Sequence, residues 1–254
     1  MLRESLRKCV VMCRRCICLS GADNSLLFYT FARISELFMC YQSNMDKKYN
    51  KFWLALGIIL LTLILDQVIK IVVKTNMYYG QHIPVTNWFY IAFIENNGMA
   101  FGMQVMPKAV QTLMRLVFSG FILWYIWLLV KARFKTGYIV CISLIFAGAV
   151  GNVIDSIFYG AIFSQSTPMD IATFVPAGQG YADWLYGRVV DMFYFPLFEF
   201  DWPSWMPFVG GEHFIFFSPV FNLADAAISC GTIAVLLFYS HTFGESFALF
   251  KKKD

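Results

Sequence analysis

Charge is scarce in this chain. Asp, Glu, Lys and Arg together make up 14% of its 254 residues, where soluble domains carry about a quarter. Hydrophobic residues reach 59% and aromatics 19%, which excludes an ordinary soluble domain and implies an integral membrane protein. Histidine is scarcer still: His82, His213 and His241 are the only three, and no two stand at ligand spacing, so no histidine-built metal site is read here. Cysteine is missing from every loop after Met45, because Cys141 and Cys230 both lie inside apolar segments. That absence excludes a disulfide framework on the loops. The remaining cysteines crowd the N-terminal stretch, but Cys9-x3-Cys13-x2-Cys16 has no histidine nearby and no organised surroundings, so a zinc site is not read there either.

What charge there is has a pattern. Basic residues stand at Lys47, Lys48 and Lys51, at Lys131, Arg133 and Lys135, and at Lys251, Lys252 and Lys253, each group beside the end of an apolar run. Such short, scattered groups form no single basic face, which excludes nucleic acid as a partner. By the positive-inside rule all three are cytoplasmic. Four membrane helices follow, at about residues 52–73, 111–130, 138–159 and 219–239, with both termini inside and the regions 76–106 and 160–218 outside. Residues 1–44 hold no sustained apolar run and no signal-peptide cleavage pattern. They are read as a non-native or disordered extension, with the biological start at Met45 and the membrane domain over 45–254.

The carboxylates inside these segments need a reason, since one at the centre of a membrane helix costs about 2.5 kcal/mol or more. Asp66 and Lys70, four apart, share a face of the first helix. An i,i+4 ion pair makes both tolerable, and both also lie toward the outer end, where a site would be. Lys74, one turn on, is expected to snorkel to the surface. Asn152 and Asp155 share a face of the third helix, beyond the small residues Gly148, Ala149 and Gly151 that suit close helix packing. Asp225 lies at the mouth of the fourth helix in Phe221-Asn222-Leu223-Ala224-Asp225, and Asp191 lies at the other end of the loop that feeds it. Residues 83–94, rich in β-branched and aromatic types and followed by Asn96-Asn97-Gly98, suggest a small sheet on the membrane surface. An ordinary interfacial loop fits the same composition. Residues 165–186 lack periodicity and are taken as an irregular excursion, and the stretch around Trp202 and Trp205 as a segment resting in the interface.

All four carboxylates therefore map to one membrane surface. If Asp191 and Asp225 meet, they share a proton over part of the pH range, one acting as base and the other as acid. This is aspartic hydrolase chemistry. Three other readings stay open: a proton-coupled transporter using the intramembrane carboxylates, a hydrolase in which Asp191, Asp225 and Asn222 bind a hard cation, and a purely structural membrane protein. Against the transporter stand the small number of helices and the lack of an inverted repeat.

Taken in order, Asp66-x3-Lys70, Asn96-x-Gly98-x-Ala100-Phe101, Gly148-x2-Gly151-Asn152-x2-Asp155, Val189-Val190-Asp191 and Phe221-Asn222-x-Ala224-Asp225 resemble the motifs of lipoprotein signal peptidase, or signal peptidase II, from Met45 to the C-terminus. The resemblance implies an all-α membrane protein of four transmembrane helices, with a small β element and extended loops on the outer membrane surface. It implies an aspartic endopeptidase of the bacterial inner membrane, without cofactor or metal, that removes the signal peptide of diacylglyceryl-modified prolipoproteins just before the lipidated cysteine. The dyad would be Asp191 and Asp225. Asp66, Lys70, Asn96, Gly98, Ala100, Asn152, Asp155, Asn222 and Ala224 would shape the site or hold substrate. The partners expected are the prolipoprotein and membrane lipid, the chain acting as a monomer. Two departures stand out. Ser156 occupies the position where the family has an arginine after the third-helix aspartate, and Arg188 is expected to take over part of that work. The stretch between Asp155 and Asp191 is also longer than the family pattern.

Overall fold

The computed structural model describes residues 51–97 and 106–250. The expectations for residues 1–44, for a start at Met45, and for Gly98, Ala100 and Phe101 lie outside the described residues. Helix α1 spans Lys51–Asn76, α2 Lys108–Lys131 and α3 Thr136–Ile154. Helix α3 runs on through a π-helical turn at Asp155–Tyr159 into a last turn at Gly160–Ile162. At 1.5 Å per residue, the 26 residues of α1 reach about 39 Å, enough for a hydrocarbon core of about 30 Å. Helices α1 and α2 carry apolar side chains outward, such as Leu61, Ile64 and Val68 on α1 and Val117, Phe118 and Phe121 on α2, whereas α3 has no exposed residue and lies among the others. Outward-facing apolar residues suit helices whose surroundings are lipid.

The fourth helix departs from expectation. Helix α4 spans only Leu223–Phe238, and the chain then bends by 92° into α5, Ser240–Ser246, and a final turn. Among the described residues three helices are thus long and apolar enough to cross a membrane, with α4 and its bent continuation as a fourth candidate. The late start has a local cause. Phe221 is extended and bridges Phe193, and Asn222 caps the helix, so residues 219–222 belong to a strand-like entry that composition alone cannot tell from helix.

Strands β1 (His82–Thr86), β2 (Phe89–Asn96) and β3 (Val189–Tyr194) form an antiparallel sheet in that order. The sheet expected over residues 83–94 is present, but its third strand, which carries Asp191, was not anticipated. The interfacial segment is in fact a hairpin of β4 (Phe198–Asp201) and β5 (His213–Phe216). Residues 165–186 contain no helix or strand.

Two apolar clusters sandwich a polar layer. One, at the loop end shared by α2 and α3, gathers Ala55, Ile59, Leu129, Tyr138, Ile142, Phe146 and Val235. The other, beneath the sheet, gathers Val73, Met77, Phe93, Tyr159, Phe163, Val190 and Met192. Along α1 the order is Ile59, then Asp66 and Lys70, then Val73, and along α3 it is Phe146, then Asn152 and Asp155, then Tyr159. Asp66, Lys70, Asn152 and Asp155 therefore share one level, and α3 presses on α4 there. A Cβ at Gly148 would strike the backbone oxygen of Ala224, and one at Gly151 would lie 2.7 Å from Asp66 Oδ2.

Candidate active site

Helix α1 delivers Asp66 and Lys70 on one face, as their spacing predicts. Lys70 Nζ stands 2.9 Å from Asp66 Oδ2 and 2.7 Å from Asp155 Oδ2, and it donates to Asn152 Oδ1 at 2.9 Å. All three charged side chains are fully buried. A single ammonium between two carboxylates makes a buried cluster tolerable, because burial of an ion costs several kcal/mol unless it is paired and hydrogen-bonded. Asp66 also reaches across to α4, where its Oδ1 accepts from the Ala224 backbone N–H at 2.9 Å. The missing side chain at Gly151 leaves room for that reach.

Asn222 joins the two expected dyad members. Its side-chain oxygen accepts from the Asp225 N–H at 2.9 Å, and the Asp225 carboxylate accepts in turn from the Asn222 N–H at 3.4 Å. This reciprocal capping box fixes Asp225 at the third position of α4. The Asn222 Nδ2 meanwhile donates to Asp191 Oδ1 at 2.6 Å and to Asn152 Oδ1 at 3.2 Å. Asn152 completes the circuit by donating to Asp225 Oδ1 at 2.8 Å.

Asp191 arrives through backbone pairing. Strand β3 lies against β2, with Asp191 opposite Ile94, while the Phe193 N–H donates to the Phe221 oxygen at 2.7 Å and the Phe221 N–H returns the bond at 3.0 Å. The residue before the α4 cap is thereby stitched beside the strand. Asp191 is buried, whereas Asp225 is half-buried. Burial first, and then the charge of Asp225, push Asp191 up to about 7, against hydrogen bonds from Asn222 and Asn96 that act in the opposite direction. Asp191 is thus poised to hold a proton near neutral pH.

One expectation needs correction. Lys74 does not snorkel: it is fully buried, paired with Glu95, and donates to Ser166 Oγ at 3.0 Å. Glu95 on β2 gives it a partner inside, so the side chain has no need of the surface. Arg188, expected to take over part of the missing arginine's work, is partly exposed with its head held by Glu95. Its Nη1 donates to Glu95 Oε2 at 3.2 Å, and its guanidinium lies 5.4 Å from the Tyr181 ring centre. The neighbouring Ser156 is buried and donates to the Asn152 oxygen at 2.9 Å. There the π turn offers its carbonyls sideways: the Gly187 N–H donates to the Ser156 oxygen at 2.9 Å and the Leu185 N–H to the Ile157 oxygen at 3.2 Å. Those bonds steer the chain into β3.

Sequence reasoning passed over several residues. Gln67 donates to Asp155 Oδ1 at 2.9 Å and accepts from Tyr159 Oη at 3.1 Å. Its position between Asp66 and Lys70 was the available signal. Arg115 on α2 acts electrostatically on both Asp225 and Asp191. Lys108, Thr112, Arg115 and Ser119 recur at helical spacing on α2, and the first two anchor this face to the loops around the site. Lys108 Nζ donates to the Asn97 oxygen at 2.9 Å and Thr112 Oγ1 to the Leu185 oxygen at 3.0 Å.

The family profile described as Signal peptidase (SPase) II matches residues 58–241. The chain belongs to the signal peptidase II family. It is 53% identical over 187 residues to the lipoprotein signal peptidase of Porphyromonas gingivalis strain ATCC 33277, a match covering 73% of this chain and 82% of that protein. It is 38% identical over 200 residues to the lipoprotein signal peptidase of Amoebophilus asiaticus, covering 76% and 79%. A solved bacterial membrane enzyme aligns with a TM-score of 0.48 and 22% identity, covering 79% of this chain and 92% of that one. As a signal peptidase II, the chain is a protease of a bacterial inner-membrane family, and its long apolar helices fit that setting.

Proposed function

We propose that this signal peptidase II is an aspartic endopeptidase that cuts diacylglyceryl-modified prolipoproteins just before the lipidated cysteine, with Asp191 and Asp225 as its dyad. The observation that carries the reading is the side chain of Asn222, which bonds Asp191 while capping Asp225. In this mechanism Asp225, the more accessible carboxylate, takes a proton from water, and the resulting hydroxide adds to the scissile carbonyl carbon. Asp191 donates its proton to the carbonyl oxygen. As the tetrahedral intermediate collapses, the proton on Asp225 passes to the leaving nitrogen and Asp191 recovers its own. Lys70, Asp66, Asn152, Asp155 and Ala224 hold the frame; Asn96 supports Asp191, and Gly98 and Ala100 belong to the same proposed set.

The active site faces the outer side of the membrane, with both termini cytoplasmic. The enzyme works as a monomer among membrane lipids and needs no nucleic acid. The transporter alternative has no footing among the relatives named above, which are lipoprotein signal peptidases.

The test is cleavage of a diacylglyceryl-modified prolipoprotein by purified protein in the presence of a chelator. Cleavage by the wild type and by neither Asp191→Asn nor Asp225→Asn supports the dyad. Activity lost to the chelator and restored by a divalent cation would transfer these residues to a metal site.

A further inference from the structure

The β4–β5 hairpin takes no part in the site, yet its side chains divide sharply by face. Phe198 pairs with Phe216, Glu199 with Ile215, Phe200 with Phe214 and Asp201 with His213. Opposed residues share a face and successive ones alternate. Four phenylalanines therefore line one side, with Phe198 and Phe216 stacked at 4.6 Å and Phe200 and Phe214 tilted at 50° with ring centres 5.2 Å apart. On the other side His213 Nδ1 lies 2.7 Å from Asp201 Oδ1 and Nε2 lies 3.5 Å from Glu199 Oε2. The aromatic side is open, and at the tip Trp205 is 78% and Phe208 fully exposed. A lone two-stranded hairpin is marginal in water, and an apolar patch of this kind marks an interaction surface.

Three observations identify what covers it. First, the tip folds back on itself and pairs part of its own backbone, which lowers the cost of entering an apolar medium. The Trp202 N–H donates to the Glu212 oxygen at 3.0 Å, Gly211 to Trp202 at 2.9 Å, and Met206 to Pro203, Gly210 to Met206 and Glu212 to Val209 at 3.0 Å each. Second, residues 197–217 contain no Lys or Arg but do contain Glu199, Asp201 and Glu212. Attraction to acidic headgroups therefore plays no part, and the Trp and Phe side chains that favour membrane interfaces supply apolar burial instead. Third, the base of the hairpin is continuous with a membrane segment. Phe217 meets Phe221 edge-on at 5.9 Å, Phe195 stacks on Phe221 at 5.6 Å, and Phe221 directly precedes the cap of α4.

We propose that residues 197–217 form a membrane-docking arm. Its phenylalanine face and its Trp205 and Phe208 tip lie in the lipid interface beside the candidate site, while Glu199, Asp201 and His213 face water. Only the side of the membrane rests on the function proposed above; the docking does not.

The test uses the full chain in vesicles of phosphatidylethanolamine and phosphatidylglycerol, with and without acyl-chain bromination. The signal of Trp205 is the wild-type fluorescence minus that of Trp205→Phe, a conservative change at an exposed position. Docking predicts that brominated lipid quenches this difference signal, that aqueous iodide leaves it nearly untouched, and that added salt changes neither result. Quenching by iodide and not by lipid would overturn the proposal. Shielding from both quenchers, as a second copy packed on the patch would give, would overturn it equally. Because activity is not read, this failure is distinct from failure of the peptidase reading.

Discussion

Asn222 donates a 2.6 Å hydrogen bond to Asp191 from the same side chain whose oxygen caps Asp225. One residue thus sets the relative position of two carboxylates that come from different elements. Asn222→Ala removes the cap, worth about 1 kcal/mol, and frees both carboxylates to shift. A displacement near 1 Å at a reacting group costs about 10²-fold in rate. The expected result is a fall of that order in kcat with a small loss of thermal stability, measured on one preparation. Unchanged kcat would remove Asn222 from the positioning role.

The proton on Asp191 gives a pH signature. With its folded value pushed up to about 7, the protonated fraction declines as pH rises through neutrality. The rate of prolipoprotein cleavage is expected to fall on that side, tenfold per pH unit beyond the turning point. The same shift has a stability sign. The unfolded carboxyl ionises near 4, so this group's contribution to stability declines as pH rises from about 4 to about 7 and is constant above that. A rate profile flat from pH 6 to 9 would refute the assignment of Asp191 as the acid.

Lys70 is the sole cation between Asp66 and Asp155 among the described residues. Lys70→Ala leaves two buried carboxylates facing one another, and breaking a buried pair costs about 3–5 kcal/mol. Thermal unfolding in detergent is expected to show a large drop in Tm. A near-wild-type Tm would mean that the cluster contributes little to the fold.

Glu95 and Arg188 should behave unequally although they touch. Glu95→Ala strands the fully buried Lys74, with an expected cost of about 3–5 kcal/mol. Arg188 is partly exposed and Glu95 keeps Lys74 without it, so Arg188→Ala should cost about 1 kcal/mol or less. Comparable losses from both would contradict the geometry.

The polar layer was legible because its residues are individually improbable in lipid. Asp66, Lys70, Asn152, Asp155 and Asp225 each interrupt an apolar run, and helical spacing alone assigned the first four to shared faces. Partners distant in sequence left no such trace. Nothing near Lys74 announces that Glu95, on a strand 21 residues away, will lie against it, so an escape to the surface was the only local solution. Strand β3 was missed for a related reason: apart from Asp191, residues 189–193 are apolar on both faces, which removes the alternation by which a half-buried strand is recognised. The entry into α4 was overlooked because an extended Phe221 and a helical one have the same hydropathy. Arg115 was passed over as a lone charge, although its spacing from Lys108, Thr112 and Ser119 was there to be read.

The stitch between Phe193 and Phe221 has a consequence for biogenesis. Asp191 leaves the ribosome well before Asp225, and nothing in the first three helices supplies a second carboxylate to the strand that holds it. A nascent chain caught between these points would lack α4, against which α3 packs and to which Asp66 bonds, and with it the second carboxylate of the proposed dyad. On the dyad proposed above, proteolytic competence would therefore begin only when α4 docks and closes the circuit through Asn222.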